Sequence, residues 1–359
     1  MRGADARGGN DPAEPDPRER VRMSWEVGPS AGPPPDLASW ARARDGVRAT
    51  LGRCLGATPP RQPSVVRHLG TERRGSMLLE RLSWIDGVGE TVPAVLVRPE
   101  SLRAPAPAVY FCHAHGGRYA VGKDELWAPT ALGPSAAELL TGAGAVVLAI
   151  DTWCFGERQG RGPGGPRETG GVEEQAEFKR QLWLGRTLWG LMLHDDLLGL
   201  DVLRARPEVD ASRVAAMGMS MGCTRTWWLA AMDSQLAAAV CVACLTRYQD
   251  LLASGHINAH GIYYFVPGLL RHLDTEAIVA LAAPTALLTL SGDEDAGAPA
   301  SGVRTIQEWC ARVWELQGCP ERFRGVLYRG VGHEWTAQMW REGLSWLERW
   351  IGTRPAPSL

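Results

Sequence analysis

The sequence predicts an α/β fold, with a mostly parallel twisted sheet, helices on both faces and a small inserted cap. Three observations predict it. From about residue 108, apolar strand-like runs alternate with amphipathic helix-like stretches, the order that βαβ units produce. A glycine-flanked serine, Ser220, stands between a strand-like and a helix-like run. Of the 359 residues, 45% are hydrophobic, so the chain can bury a large core.

The first 60 residues are expected to form an N-terminal extension before the main domain, residues 61–359. Residues 1–35 are rich in glycine, proline and charge, a composition typical of disorder. Apolar side chains at helical spacing then predict a helix from Asp36, its N-cap, to Leu55. Apolar and alternating runs predict antiparallel strands at Ser64–Leu69, Ser76–Trp84 and Val92–Val97.

The alternating part of the chain is predicted to form the parallel sheet. Strands are expected at Ala108–Cys112, Ala145–Ile150, Val214–Met217, Ala237–Leu245, Pro284–Leu290 and Phe323–Tyr328. Helices are expected at Pro134–Thr141, over Glu173–Arg206 with one break, at Cys223–Met232, at Val303–Leu316 and at Met339–Ile351. Residues 246–276 interrupt the alternation directly after a strand. We therefore expect a cap there, over the carboxyl edge of the sheet, where open α/β sheets bind ligands.

The charge and hydropathy of the sequence indicate which classes of partner to expect. The formal net charge of −2 gives no reason to expect nucleic acid or an anionic membrane. The N-terminus lacks the apolar core of a signal peptide, and no run approaches the roughly 18 apolar residues of a transmembrane helix. A soluble, cytoplasmic protein is expected. The sequence leaves open whether it forms a homo-oligomer.

Neither a metal nor a cofactor is expected. The eight cysteines are scattered and mostly lie in apolar runs, where thiols pack as small hydrophobes. Cys241 and Cys244 have CxxC spacing, but no second pair stands at zinc-site spacing. His256 and His260 are four residues apart, yet the glycines beside them argue against a helix that would place both rings on one face.

The segment Gly218–Gly222 carries the predicted chemistry. Glycines two residues before and after Ser220 permit a sharp strand-to-helix turn that lifts the hydroxyl above the sheet edge, the arrangement of a nucleophile elbow. The N–H groups that begin the next helix would face developing negative charge. The alternative is an ordinary serine in a glycine-rich turn.

Two downstream loops supply an acid and a base in the chain order that this architecture uses. One strand-like run ends at Gly292 and leads into Asp293, Glu294 and Asp295, which compete as the acid. Another ends in a loop that carries His333. Carboxyl ends of parallel strands share one rim of a sheet, so these groups are expected near the serine. The alternatives are a solvated carboxylate and a histidine that caps the following helix.

An oxyanion hole needs two backbone N–H groups aimed at the tetrahedral oxygen. One is expected from Met221, directly after Ser220. The other is expected from the loop after Cys112, where Gly117, or in second place Gly116, lets the backbone approach a carbonyl. A tight turn without a ligand role is the alternative.

Three further side chains are candidates for lining a substrate pocket: His115 in the same loop, Trp153 in a loop near the rim, and His260 in the cap. Aromatic faces would suit a sugar or a flat acyl group. For most of the 15 tryptophans, packing of the core is the commoner role.

The elbow, the acidic loop and the His333 loop together resemble the α/β-hydrolase superfamily. Within it, the chain resembles the dienelactone-hydrolase-like and acetyl xylan esterase-like serine esterases. The resemblance covers about residues 65–352 and extends to the lead-in 206–213, the His115-Gly116 pair and residues 151–158. The resemblance implies an α/β-hydrolase fold and the hydrolysis of an ester by a serine nucleophile, without a cofactor.

The resemblance also implies site roles. Ser220 is the nucleophile and His333 the base, and the family pattern places the acid three residues after the strand-ending glycine, at Asp295. Two departures matter. Dienelactone hydrolase proper has cysteine where Ser220 stands, and glucuronoyl esterases have arginine where Met221 stands. Both departures favour ordinary ester hydrolysis.

The sequence thus predicts a serine hydrolase that cleaves a carboxylic ester, such as an acetylated carbohydrate or another small ester. One alternative is an acyltransferase or tailoring enzyme on the same triad. A peptidase ranks lower, because the N-terminal region is far too short for the propeller domain of oligopeptidases. A non-catalytic binding protein with this fold is the alternative from another class. The acyl and alcohol parts of the substrate stay open.

Overall fold

A nine-stranded sheet runs through the part of the chain that this computed structural model describes, residues 32–62, 65–102 and 105–355. The strands are β1 (Arg67–Arg74), β2 (Met77–Ile85), β3 (Thr91–Pro99), β4 (Ala106–Cys112), β5 (Val146–Ile150), β6 (Val209–Met219), β7 (Ala238–Val242), β8 (Ala286–Gly292) and β9 (Phe323–Tyr328). Their spatial order is β1-β2-β3-β5-β4-β6-β7-β8-β9. The first three pair antiparallel, as do β3 and β5, whereas β5, β4 and β6–β9 run parallel. The prediction of a mostly parallel sheet is confirmed.

Helices cover the sheet. They are α1 (Leu37–Leu55), α2 (Ala136–Gly142), α3 (Gly171–Trp183), α4 (Leu188–Arg204), α5 (Met221–Met232), α6 (Tyr248–Ser254), α7 (Thr275–Ala280), α8 (Ala300–Leu316) and α9 (Ala337–Ile351). The stretch predicted as one helix with a break is α3 and α4. The start of α1 also follows the prediction, because the Asp36 side chain accepts the Ser39 N–H at 2.7 Å.

Two apolar layers hold the helices on the two faces. Side chains alternate across β5, so that Leu148 joins one layer and Val147 the other. The first layer contains tryptophans of α4, α5 and α8, including Trp189, Trp227 and Trp314. The second layer contains side chains of α2 and α9. Helices on both faces, as predicted, leave the carboxyl edge of the parallel strands free to carry a site.

The strand predicted at Ser64–Leu69 is wrong in position. Its first residue, Ser64, lies outside the described residues, and β1 spans Arg67–Arg74. The error has a physical reason. As the edge strand, β1 pairs only with β2, and its side chains are mostly exposed and charged, so no apolar alternation marks it.

Residues 246–276, which form most of the connection between β7 and β8, are called the cap segment below. It holds α6, three one-turn 3-10 helices between residues 257 and 271, and the start of α7. Two tyrosines of the segment, Tyr263 and Tyr264, are buried in the first apolar layer.

The disorder expected for residues 1–35 falls almost wholly on residues 1–31, which lie outside the described part of the chain. Within that part, no helix combines the length and apolarity needed to cross a membrane.

Candidate active site

Ser220 occupies the sharp turn between β6 and α5. Its φ of 59° and ψ of −122° lie outside the regions that L-residues ordinarily adopt. Its N–H donates to the carbonyl oxygen of Val242 at 3.0 Å, which ties the turn to β7. A Cβ built on Gly218 or Gly222 would overlap the carbonyl oxygen of Cys112. The two glycines therefore let β4 pack beside the strained serine.

A hydrogen-bonded line joins Ser220, His333 and Asp295. His333 Nδ1 lies 2.7 Å from Asp295 Oδ2, and His333 Nε2 lies 2.9 Å from Ser220 Oγ. An ionised carboxylate only accepts, so Nδ1 carries the proton and Nε2 accepts from the serine hydroxyl. The acid side chain is 2% exposed and that of the histidine is 41% exposed. Asp295 is thus enclosed by the protein, and His333 is partly open to solvent.

The Asp295 carboxylate is held in its ionised form. Burial alone would raise the pKa of Asp295, but the hydrogen bond and the charge of His333, with the hydrogen bond from the Gly297 N–H at 2.9 Å, outweigh it and lower that pKa. A negative charge on Asp295 favours a positive charge on the imidazole that is bonded to it.

The two neighbouring acidic residues, Asp293 and Glu294, make other contacts. Asp293 Oδ1 accepts the N–H of Gly330 at 2.7 Å, so this side chain fastens the turn that follows β9. The backbone N–H of Glu294 donates to the Val331 carbonyl oxygen at 3.0 Å. Of the three candidate acids, the structure brings Asp295 to the histidine.

The two backbone N–H groups expected to bind an oxyanion, those of Met221 and Gly117, differ in their hydrogen bonding. Met221 is the first residue of α5, so its N–H has no acceptor within the helix. The N–H of Gly117 instead donates to His115 Nδ1 at 3.0 Å. The φ of Gly117 is 69°, and this left-handed turn folds the loop back onto the histidine ring. For Gly117 to serve an oxyanion, it must exchange that bond for the substrate oxygen.

His115, a candidate for substrate binding, uses both ring nitrogens within the protein. Its Nδ1 accepts from Gly117, and its Nε2 lies 2.9 Å from Glu174 Oε2. Tyr119 donates its hydroxyl to the same carboxylate oxygen at 3.3 Å. The ring of Tyr263 stacks on the imidazole at 5.2 Å between centroids. These contacts make His115 a support for the loop after β4.

Sequence reasoning missed Glu174 and Tyr263. Glu174 lies in α3 in an acidic run with Glu173 and Glu177, a pattern typical of a solvated helix face, yet all three are buried. Only the docking of α3 against the β4 loop reveals the role of Glu174. The Tyr263-Tyr264 pair in the cap segment was the available signal for Tyr263.

Trp153 is placed in the core and not on an open rim. Its side chain is buried, and the guanidinium of Arg158 lies 4.6 Å from its ring centroid. Arg158 in turn donates to Asp195 Oδ2 at 2.6 Å. The tryptophan covers a buried ion pair, which accounts for its placement.

His260 approaches the acid loop from the cap segment. Its Nε2 lies 2.8 Å from the carbonyl oxygen of Gly297, two residues after Asp295. Its ring stacks on Tyr264 with centroids 4.4 Å apart. His256, four residues earlier, is exposed.

Comparisons with known proteins agree with this architecture. No family model matches the chain. "Putative hydrolase YtaP" of Bacillus subtilis (strain 168) is 36% identical over 306 residues, covering 85% of this chain and 98% of that protein. A glucuronoyl esterase from Solibacter usitatus has a TM-score of 0.67 at 16% identity, over 90% of this chain and 99% of its own. A "putative acetyl xylan esterase" from Bacteroides fragilis NCTC 9343 has a TM-score of 0.64 at 17% identity, over 87% and 81%.

The two solved structures share the fold with this chain. The B. subtilis protein is similar to it in sequence along nearly the whole length of that protein. The α/β-hydrolase fold expected from the elbow and its partner loops is therefore confirmed. The chain belongs to the same family as "Putative hydrolase YtaP" of Bacillus subtilis (strain 168).

Proposed function

We propose that the protein is a serine hydrolase that cleaves carboxylic esters through an acyl-enzyme on Ser220. The observation that carries the proposal is the unbroken line from Ser220 Oγ through His333 to Asp295, at 2.9 and 2.7 Å. A serine hydroxyl needs a base to remove its proton and a third group to orient that base, and this line supplies both. The esterase names of the structural neighbours lend support.

In the first step, Ser220 Oγ attacks the ester carbonyl carbon while its proton passes to His333 Nε2. Asp295 keeps the imidazole in the tautomer with Nδ1 protonated and stabilises the imidazolium. The tetrahedral intermediate collapses when the bond to the alcohol oxygen breaks. His333 returns its proton to that oxygen, so the alcohol leaves neutral and the acyl group stays on Ser220.

The negative oxygen of the intermediate lies next to the start of α5. There the N–H of Met221 can donate to it, assisted by the helix dipole. The second donor in this proposal is the N–H of Gly117, released from His115 Nδ1 as the oxyanion forms.

In the second step, water attacks the acyl-enzyme. His333 takes a proton from the water and later delivers it to Ser220 Oγ, which releases the carboxylic acid and restores the free enzyme. The side chain of His333 is 41% exposed, so water can reach its Nε2 face.

The proposal is tested with Ser220→Ala and a chromogenic short-acyl ester. Turnover should fall by at least about 10³-fold, because the nucleophile is lost. Ser212→Ala is the matched control, since this exposed serine of β6 bonds only within its own turn to Asp210 Oδ1 and should keep wild-type turnover. Wild-type turnover in the Ser220 variant would refute the mechanism.

A fluorophosphonate probe separates an enzyme from a binding protein of the same fold. Labelling should occur on Ser220 in the wild type and vanish in Ser220→Ala. A screen of acyl lengths that includes acetylated sugars, with product analysis in the presence of alcohol acceptors, then defines the substrate and separates hydrolysis from acyl transfer.

A further inference from the structure

The cap segment is connected to Asp295, the acid of the proposed triad, by hydrogen bonds to the backbone of Gly297. The Gly297 carbonyl accepts from two side chains of the cap segment, Thr246 Oγ1 at 2.8 Å and His260 Nε2 at 2.8 Å. The N–H of Gly297 donates to Asp295 Oδ1 at 2.9 Å. One glycine thus links the cap segment to the carboxylate that holds the catalytic histidine.

The hydrogen bond fixes the state of the His260 ring. A carbonyl oxygen only accepts, so His260 Nε2 carries a proton. Burial lowers the pKa of His260, and His333 and His115 lower it further, while the Gly297 carbonyl and Asp295 oppose this in part. The ring is therefore neutral at neutral pH, with its proton on the nitrogen that faces Gly297.

Gly297 lies close to both Asp295 and His260. A Cβ placed on this glycine would lie 3.3 Å from Asp295 Oδ1 and 3.6 Å from His260 Nε2. One face of the imidazole is stacked on Tyr264, with an interplanar angle of 12°. The stack sets the tilt of the imidazole plane, and the hydrogen bond to Gly297 lies in that plane.

We propose that His260 is a positioning residue for the acid of the triad. By holding Gly297, it aims the glycine N–H at Asp295 Oδ1, which sets the rotation of the carboxylate and leaves Oδ2 in line with His333 Nδ1. The role is exerted through Gly297, without contact to the reacting atoms. The inference rests on the proposed serine-hydrolase function.

The primary test compares two substitutions at His260. His260→Phe keeps a planar ring against Tyr264 but removes the donor, and kcat should fall about tenfold with little change in KM. His260→Gln restores an amide donor and should recover kcat to within about threefold of wild type. His256→Phe is the matched control, because His256 is exposed in the same segment, and it should behave as wild type.

A spectroscopic readout separates this inference from the proposed function. The His333 Nδ1 proton, bonded to Asp295, should give a strongly downfield proton NMR signal without any substrate. In His260→Phe the signal should shift upfield or broaden, and in His256→Phe it should not change. If no ester is turned over but the signal responds in this way, the proposed function fails and the positioning role stands.

The opposite result overturns the inference alone. If Ser220→Ala abolishes turnover while folded His260→Phe keeps the wild-type kcat and an unchanged signal, His260 does not position the acid. Thermal melting establishes that each variant is folded. If His260→Phe does not fold, His260→Met, which also lacks a donor, takes its place with the same expected fall in kcat.

Discussion

Gly222 packs directly against the carbonyl oxygen of Cys112, the last residue of β4. A Cβ built on Gly222 would overlap that oxygen and come within 3.1 Å of the carbonyl oxygen of His113. Both obstacles are backbone atoms, so no side chain can rotate away to make room. The neighbouring strand, and not the turn alone, therefore requires glycine at the second position after Ser220.

Gly222→Ala should destabilise the protein and displace the elbow. Overpacking against backbone costs about 1–3 kcal/mol or more, and relief by movement of α5 would shift Ser220 away from His333. Urea unfolding and ester turnover measure the two effects. Gly46→Ala is the control, because a Cβ at this exposed position of α1 meets open space. That variant should gain up to about 1 kcal/mol, and equal stability of both variants would contradict the argument.

The choice of acid can be tested with two neighbouring substitutions. Asp295→Asn should lower kcat by about 10³–10⁴-fold, since a neutral amide neither fixes the His333 tautomer nor stabilises the imidazolium. Asp293→Asn should have a small effect, because its oxygen can still accept the Gly330 N–H. Steady-state kinetics of both variants decide the point. A greater loss in Asp293→Asn would mean that the acid is misassigned.

Features that depend on local sequence were predictable. The glycine spacing around Ser220 marks the elbow because the pattern itself is short and local, although the backbone that requires both glycines belongs to β4. The strand β9 matches its predicted range, Phe323–Tyr328. The rim location of His333 followed from parallel strands ending at one edge. These predictions needed no knowledge of distant contacts.

Features that depend on docking were not predictable. Three adjacent acidic residues follow β8, and the residues alone left them in competition. The choice of Asp295 came from the family resemblance, and the turn after β8 places it 2.7 Å from His333 Nδ1. The burial of Glu174 follows from where α3 meets His115, about 60 residues away in sequence. Trp153 lies in a loop by sequence, but its ring is drawn inward over the buried Arg158.

A buried ion pair between α4 and α5 gives a third prediction. Arg225 donates through Nε to Asp196 Oδ2 at 2.8 Å and through Nη2 to Oδ1, and both side chains are fully buried. Tyr110 donates its hydroxyl to Oδ1 at 2.8 Å. Arg225→Met would leave the carboxylate without its counter-charge and should cost about 3–5 kcal/mol of unfolding free energy.

The double variant Arg225→Met/Asp196→Asn should lose less than the sum of the two single losses. The amide is neutral, and its oxygen can still accept the Tyr110 hydroxyl, so no buried charge is left unpaired. Urea unfolding of the four proteins in the cycle measures the coupling. Strictly additive losses would show that the pair contributes no mutual stabilisation.

The titration of Asp86 should make the free energy of unfolding depend on pH. Burial, with the nearby charge of Asp195, raises the pKa of Asp86 from 3.8 to about 6, although Arg158 and the N–H groups of Glu90 and Val88 favour the ionised form. Between pH 4 and 6 the folded protein therefore holds a proton that the unfolded chain has lost. The free energy of unfolding should fall as pH rises through this range, by up to about 3 kcal/mol from this group.

Asp86→Asn removes that titration. The amide oxygen can still accept both backbone N–H groups, and Arg158 keeps its bond to Asp195 at 2.6 Å. The variant should therefore gain stability relative to wild type as pH is raised from 4 to 8, with most of the change complete by about pH 7. Urea unfolding of both proteins at several pH values gives the difference, in which the other titrating groups cancel. A difference that does not vary with pH would show that Asp86 has an ordinary pKa in the folded protein.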